Sequence, residues 1–460
     1  WALYRGRTTI WLDGRPEVLA QRLRRSPNVR PLVTGRDPIG TLRDLAARRE
    51  RFYGATDIHQ SGVAEVHGVV DAVEARLADV DRGNGTTLLR TTTPIGRFVL
   101  GDGIAADALA AELDAMRAGR AILVSEPGAW RAVGEELADA LREGGREVVH
   151  VLLPEGEAAK RLDVVEGAAR ELAGLRVERS EPIVAVGGGA LGDTAGFLAA
   201  IYLRGIRFVQ VPTTLVAQID SAIGGKTGVD LPEGKNLVGA FHQPAAVIID
   251  IALLRTLPER QIRAALGEAV KMAALGDERL FELLETAGPA IARGEPAVFE
   301  SGVVAELVER AAWAKVEVVV ADERERSATG GRIALNLGHS LGHAYEAAAG
   351  YGGLLHGEAV AYGLRAACRI GLEAGVTAPD RAGRIGRLLD DLGLATEPLP
   401  YPLATVMGHL ATDKKHADGR LRWVLPTDGG VVIRDDIDAA VVERAAASQL
   451  ASASPSATPR

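Results

Sequence analysis

The chain has 460 residues, enough for two or three domains, with 47% hydrophobic and 25% charged residues, which is ordinary globular composition. A net charge of −8 with no long basic run argues against a nucleic-acid partner. The single cysteine, Cys368, excludes a disulfide framework, and no apolar run is long enough to span a membrane, so the expectation is a soluble, cytoplasmic protein with no membrane partner.

Residues 1–80 read as a separate α/β unit. Thr8-Thr-Ile-Trp-Leu-Asp13 has the pattern of a buried strand, and Pro16 suits the first turn of a following helix. Arginines recur through this unit, several of them in a helical stretch at 42–53; a solvated helix face and an anion site are both open readings. Residues 81–87 are rich in turn formers and read as a linker. Beyond it, strands at 98–100, 121–124, 148–153 and 182–186 alternate with helices at 105–116, 130–143 and 158–173. That alternation predicts a mostly parallel sheet with helices on both faces, over residues 88–257.

The strand ending at Val186 runs into Gly187-Gly-Gly-Ala-Leu-Gly192-Asp193, which fits G-x-G-x-x-G between a strand and a helix. Glycines let a backbone approach a pyrophosphate, and a helix amino end offers unpaired N–H groups, so the motif points to dinucleotide binding. It departs from the usual fingerprint in following a later strand and in having no clear acid about 20 residues on. Residues 209–215, 218–228 and 234–244 are dense in Gly, Thr, Lys and Asn and read as loops, with Lys226, Lys235 and Asn236 suited to an anionic substrate.

From residue 258 to 450 the pattern is helical. Glu268 and Lys271 lie one turn apart on an otherwise apolar helix, and further helices are expected at 363–372, 381–392 and 403–410, before a hairpin near 421–425 and a disordered tail at 451–460. Within this unit, Asn336-Leu-Gly-His-Ser-Leu-Gly-His-Ala-Tyr-Glu346 places His339 and His343 on one helix face, and a glycine loop at 350–353 can return His356 to them. Clustered imidazoles suit a borderline metal such as zinc, and the spacing alone enlists all three histidines. The competing reading is one core histidine and two surface ones.

Two resemblances follow from these motifs. Residues 1–80 resemble the C-terminal half of shikimate kinase, on Trp11-Leu-Asp13, Pro16-Glu-Val-Leu19, Arg30-Pro-Leu32 and Arg49-Glu-Arg-Phe-Tyr53. The resemblance implies that Arg30 belongs to a lid over ATP and Arg49 to a shikimate site. A kinase of this type needs G-x-x-x-x-G-K-[ST] to hold the phosphates, and the chain has none. The nearest stretch, Asp220-Ser-Ala-Ile-Gly-Gly-Lys226-Thr227, carries Asp in place of the first glycine. The unit, an incomplete P-loop-kinase-like segment, is expected to be inactive as a kinase in this chain.

From about residue 88 to 450 the chain resembles 3-dehydroquinate synthase. The glycine turn carries the match together with Arg204-Gly-Ile-Arg-Phe-Val-Gln-Val-Pro-Thr-Thr214, Asp220-Ser-Ala-Ile-Gly-Gly-Lys-Thr227, Gly234-Lys-Asn236, Glu268-Ala-Val-Lys271, the histidine stretch, His356-Gly-Glu358 and Asp413-Lys-Lys415. The resemblance implies a Rossmann-like α/β domain followed by a helical metal- and substrate-binding domain. It implies zinc or cobalt on Glu268, His339 and His356, which leaves His343 to handle substrate and protons. It implies NAD over Gly187, Gly188, Gly189 and Asp193, with Glu157 and Lys160 at a ribose end and Thr213 and Thr214 beside it; Lys226 and Lys235 would also serve the cofactor.

The implied substrate is an anionic seven-carbon sugar phosphate held by Lys226, Lys235, Lys271, Lys315, Arg332 and one of Lys414 and Lys415. Asp220 and Asn236 would meet its hydroxyls or the nicotinamide side, and Arg204 would reach in from a neighbouring subunit of a homodimer. Between Asp322-Glu-Arg-Glu325 and Arg332 the chain is a few residues longer than the resemblance predicts. The alternatives are another sugar-phosphate cyclase, or an NAD- and metal-dependent polyol dehydrogenase, which would accumulate NADH.

Overall fold

The computed structural model describes residues 10–13, 58–61, 86–327, 330–350, 352–411, 416–417 and 420–451. Arg30, Arg49, Lys414 and Lys415 lie outside the described residues, as do residues 452–460 of the tail expected at 451–460. Within 1–80 a parallel strand pair is described, β1 (Ile10–Asp13) and β2 (Ile58–Ser61).

The strands from residue 86 to 250 are β3 (Thr86–Thr93), β4 (Gly96–Asp102), β5 (Arg120–Ser125), β6 (Glu147–Leu152), β7 (Ile183–Gly187), β8 (Phe208–Pro212), β9 (Lys226–Leu231), β10 (Gly234–Phe241) and β11 (Ala246–Asp250). Seven of them form one sheet in the order β3-β4-β11-β8-β7-β5-β6. β3 runs antiparallel to β4, and the other neighbours are parallel. Apolar side chains alternate between its faces. Leu123, Val184 and Val186 pack toward α1 (Ala105–Ala115) and α2 (Glu135–Glu143). Ile122, Ile183 and Ala185 pack toward α3 (Leu162–Gly174) and α4 (Gly189–Ile201). Burial on both faces is why β5 and β7 read as continuous apolar runs. Each fully buried Val, Leu or Ile there contributes about 1.5–3 kcal/mol.

The structure corrects several expectations. Residues 130–134 form a π-helical turn ahead of α2, with Trp130 packed where Gly134 has no Cβ. The helix expected from 158 starts at Leu162, because 156–159 make a 3-10 turn and Arg161 is extended. The stretches read as loops contain most of β8, a central strand of the sheet, and most of the separate pair β9 and β10. β8 is buried at every position, and β9 and β10 form a hairpin in which Gly228 and Gly239 permit close backbone approach: a Cβ on Gly228 would stand 2.6 Å from Val238 O. In that hairpin the glycines narrow a ladder and do not break it.

The helical part comprises α5 (Glu259–Ala274), α6 (Glu278–Ala292), α7 (Val303–Ala321), α8 (His339–Ala348), α9 (His356–Glu373), α10 (Pro379–Asp391), α11 (Leu403–Ala411) and α12 (Ala439–Ala447), with a hairpin of β12 (Trp423–Thr427) and β13 (Gly430–Arg434). α9 begins at His356, a full turn or more before the expected start, so this histidine stands on a helix and not on the loop. Cys368 is buried in α9, as a small hydrophobe would be. Among the described residues no helix is long and apolar enough to cross a membrane.

Two glycine crossings fix the helices that carry the site. A Cβ on Gly363 of α9 would collide with Gly338 O, next to the start of α8, and one on Gly357 would collide with Ala264 O of α5. Backbone therefore lies on backbone where α5, α8 and α9 meet. Gly363→Ala is expected to cost about 2 kcal/mol through overpacking, read as a lower denaturant midpoint in chemical unfolding.

Candidate active site

β5 pairs with β6 on one side and β7 on the other, so the chain turns outward and then returns across β5. Such a switch opens a crevice at the carboxyl ends of the strands, where α/β sheets bind ligands. The loops there carry Glu157, Lys160 and Gly187 to Gly189. Lys160 Nζ donates to Asp193 Oδ2 at 2.8 Å and to Asn236 Oδ1 at 2.6 Å. Thr213 N donates to Gly187 O at 3.0 Å, and Thr214 Oγ1 accepts from Ala217 N at 3.2 Å.

Glu126, at the end of β5, was not foreseen from sequence. Its carboxylate accepts from Gly188 N at 3.3 Å and Gly156 N at 2.7 Å, clamping the glycine turn to the Glu157 loop. Gly188 is extended and α4 starts at Gly189, so the first N–H groups of α4 open on the crevice. Ser221 Oγ, buried without a hydrogen-bond partner among the described residues, lies where a Cβ on Gly189 would be 2.6 Å away. Open helix N–H groups, an orphaned hydroxyl and glycines that leave room suit a pyrophosphate.

The second cluster lies where α5, α8 and α9 cross. Glu268 is fully buried on α5, and its Oε1 is 3.4 Å from His339 Nε2 and 3.2 Å from His356 Nε2. Among the described residues neither Glu268 oxygen takes a well-directed hydrogen bond, although Lys271 Nζ stands 2.5 Å from Oε2. His339 Nδ1 faces Leu337 O at 3.0 Å and His356 Nδ1 faces Glu346 Oε2 at 3.2 Å. With each Nδ1–H donating outward, both Nε2 atoms are left as ligands, the arrangement that carboxylates and carbonyls impose around zinc. His339, His343 and His356 also offer nitrogens within 4.8 Å of one another. Two donor sets therefore share His339 and His356, one completed by Glu268 and one by His343. Both suit zinc or cobalt.

Glu346 is the other residue missed from sequence. It stands seven residues after His339 and three after His343, hence on the same face of α8. That spacing was the available signal. Burial opposes its charge, yet His356 and Lys235 hold the Glu346 carboxyl down at about 2. Burial likewise opposes charge on His356, but the nearby carboxylates of Glu268 and Glu346 prevail and raise it to about 10 in the metal-free site.

The expected cations among the described residues surround these clusters, each held by an oxygen of the chain. Lys271 Nζ is 3.5 Å from Asp220 Oδ1, and Lys315 Nζ reaches that atom at 2.9 Å and Asp220 O at 2.6 Å. Arg332 is buried and donates to Gly224 O at 2.8 Å and Glu323 O at 2.7 Å. Lys226 pairs with Glu325 Oε2 at 2.6 Å, whose other oxygen accepts from Asn336 Nδ2 at 3.2 Å. Lys235 reaches Glu157 at 2.8 Å and Glu346 at 2.7 Å. Burial lowers the Lys315 pKa, with Lys271 beside it, whereas the carboxylates of Asp220 and Glu268 outweigh burial and raise Lys271. Arg204 is the exception: it is exposed beyond the carboxyl end of α4, about 20 Å along the helix from the glycine turn.

A Rossmann-type crevice beside a helical layer that gathers imidazoles, carboxylates and buried lysines defines a class of α/β enzyme equipped for an anionic ligand with a metal at hand. The family models for the N-terminal and C-terminal parts of 3-dehydroquinate synthase match residues 150–264 and 265–416, and that for shikimate kinase matches residues 1–75. A 3-dehydroquinate synthase of Synechococcus sp. (strain CC9605) is 41% identical over 376 residues, 82% of this chain and 95% of the relative. The chain belongs to the 3-dehydroquinate synthase family. Among solved structures, the 2-epi-5-epi-valiolone synthase ValA of Streptomyces hygroscopicus subsp. jinggangensis 5008, with NAD+ and Zn2+ bound, is 30% identical at TM-score 0.68, over 77% of this chain and 96% of that one. A 2-deoxy-scyllo-inosose synthase complexed with carbaglucose-6-phosphate, NAD+ and Co2+ is 26% identical at TM-score 0.67, over 77% and 97%.

Asp220 stands between two buried ammonium groups, so its neutralisation takes the only carboxylate contact from Lys315 among the described residues and leaves Lys271 to Glu268. Asp220→Asn is expected to destabilise the fold by about 3 kcal/mol, read by chemical denaturation, and the double variant Asp220→Asn, Lys315→Met is expected to recover part of that loss.

Proposed function

We propose that this chain converts 3-deoxy-D-arabino-heptulosonate 7-phosphate to 3-dehydroquinate and inorganic phosphate, a step of the shikimate pathway toward aromatic amino acids. The observation that carries the reading is the meeting of Glu268, His339 and His356 inside a ring of lysines. In the proposal those three residues hold Zn2+ or Co2+. Glu157, Lys160, Gly187, Gly188, Gly189, Asp193, Thr213 and Thr214 hold NAD+, with Lys226 and Lys235 serving it as well as the substrate. The bound groups supply a reversible hydride acceptor and a Lewis acid for adjacent substrate oxygens.

The chain's own residues do the rest. Lys226, Lys235, Lys271, Lys315 and Arg332 bind the carboxylate and phosphate, the planar guanidinium as a fork and the ammonium groups as point charges. Asp220 and Asn236 accept substrate hydroxyls, and His343 holds a proton beside the donor set. Arg204 contacts phosphate across a homodimer interface, which accounts for its distance from the site in its own chain. Residues 1–80, without a phosphate-binding loop, transfer no phosphoryl group in this chain.

Purified protein given the heptulosonate phosphate, trace NAD+ and Zn2+ is expected to release inorganic phosphate with no net NADH. Stoichiometric NADH would overturn the reading in favour of a dehydrogenase. Phosphate release from a different sugar phosphate alone would assign a sibling cyclase. Ligand roles separate by two variants: His339→Ala is expected to lose zinc from near one equivalent to near none, whereas His343→Ala keeps zinc and loses at least about a hundredfold in turnover. Zinc loss in both would assign the three-histidine donor set instead.

A further inference from the structure

Lys235 connects two acids that serve different ends of the site. Its Nζ donates to Glu157 Oε1 at 2.8 Å, in the crevice, and to Glu346 Oε1 at 2.7 Å, on α8. The other oxygen of Glu346 lies 3.2 Å from His356 Nδ1, and His356 Nε2 faces Glu268. The side chain of Glu346 is 6% exposed and that of Lys235 is 23% exposed, so the central links are shielded from solvent screening. Resting on the assignment of NAD+ and a divalent metal made above, we propose that the chain Glu157–Lys235–Glu346–His356 couples the two sites, so that NAD+ and the metal each raise the affinity for the other. Glu346 and Lys235 act in this as positioning residues.

The direction follows from charge. A cation on His356 Nε2 makes Nδ1–H a stronger donor, so Glu346 commits more of its charge to His356 and less to Lys235. Lys235 is then released toward the crevice, where the dinucleotide is anionic and favours it. The reverse holds by linkage: NAD+ that engages Lys235 leaves Glu346 to the imidazole, and a more basic imidazole binds metal more tightly.

The test measures binding, not turnover. Zinc affinity is read by competition with a chromophoric chelator, with and without saturating NAD+, and NAD+ affinity by calorimetry with and without zinc. The wild type is expected to show a zinc Kd about fivefold lower with NAD+, and the same factor for NAD+ with zinc. Lys235→Met cuts the chain but leaves the Glu346–His356 contact, so its zinc Kd without NAD+ stays within about threefold of wild type while the ratio falls to about one. Glu346→Gln keeps an acceptor but removes the charge; its ratio also falls to about one and its zinc Kd rises about tenfold. Saturating NAD+ prevents weakened nucleotide binding in Lys235→Met from imitating lost coupling, and that variant decides if Glu346→Gln does not fold. A wild-type ratio of one, or a ratio that Lys235→Met leaves unchanged, overturns the coupling. A wild type that takes up neither zinc nor NAD+ overturns the assignment beneath it.

Discussion

The site depends on a buried alternation of charge. Glu268, Lys271, Asp220 and Lys315 come from α5, from the π turn at Ala217–Ser221 and from α7, and each ion is flanked by one of opposite sign. Taking such ions from water costs several kcal/mol apiece, and alternation at these separations is what offsets it. The three elements cannot part without exposing an uncompensated charge. The same π turn contributes Ile219 to the largest apolar core, which includes Leu266 and Ala269 of α5 and Val316 of α7. Charge and packing thus tie the carboxyl side of the sheet to the helices, and the Glu268 carboxylate inherits its position from both.

Around this fixed centre the remaining cations are held more loosely. Lys226 rests on Glu325 and Lys235 on Glu157 and Glu346, and of these partners Glu325 and Glu157 are only partly shielded. In the proposed function an incoming phosphate or carboxylate would meet ammonium groups that are already oriented and would replace a carboxylate instead of a hydration shell, so that recognition would be an exchange of anions. That explains how an acidic chain presents so many lysines to an anion without repelling itself open.

Much of the architecture was legible because burial on two faces leaves continuous apolar runs. β5 and β7 announce themselves in this way, and α1, α10 and α11 through their helical periods. β9 and β10 did not, since Gly, Thr, Lys and Asn recur through them and mask the strand period, whereas β8 and β11 are buried apolar runs of the same kind as β5 and β7, so their strand signal was present. The early start of α9 was hidden by the glycines ahead of it. For the site, the i, i+4 spacing marked His339 and His343, and the same face extended to Glu346, but a carboxylate beside histidines reads as an exposed helix residue until its partners are known. Spacing could never have brought Glu268 to His339; only the resemblance pointed to it. Glu126 had no local signature, because its function is to join two loops that are distant in sequence.

The glycine crossings among α5, α8 and α9 have a consequence for change over time. Where helices meet through side chains, each substitution shifts the axes a little, and anything they carry drifts with them. Here the axes rest on peptide groups, which do not mutate, so the donor separations are insulated from turnover in the surrounding apolar residues. Pocket-lining positions are then free to diverge toward new sugars while the donor geometry stays constant, and one scaffold can host a family of cyclisations.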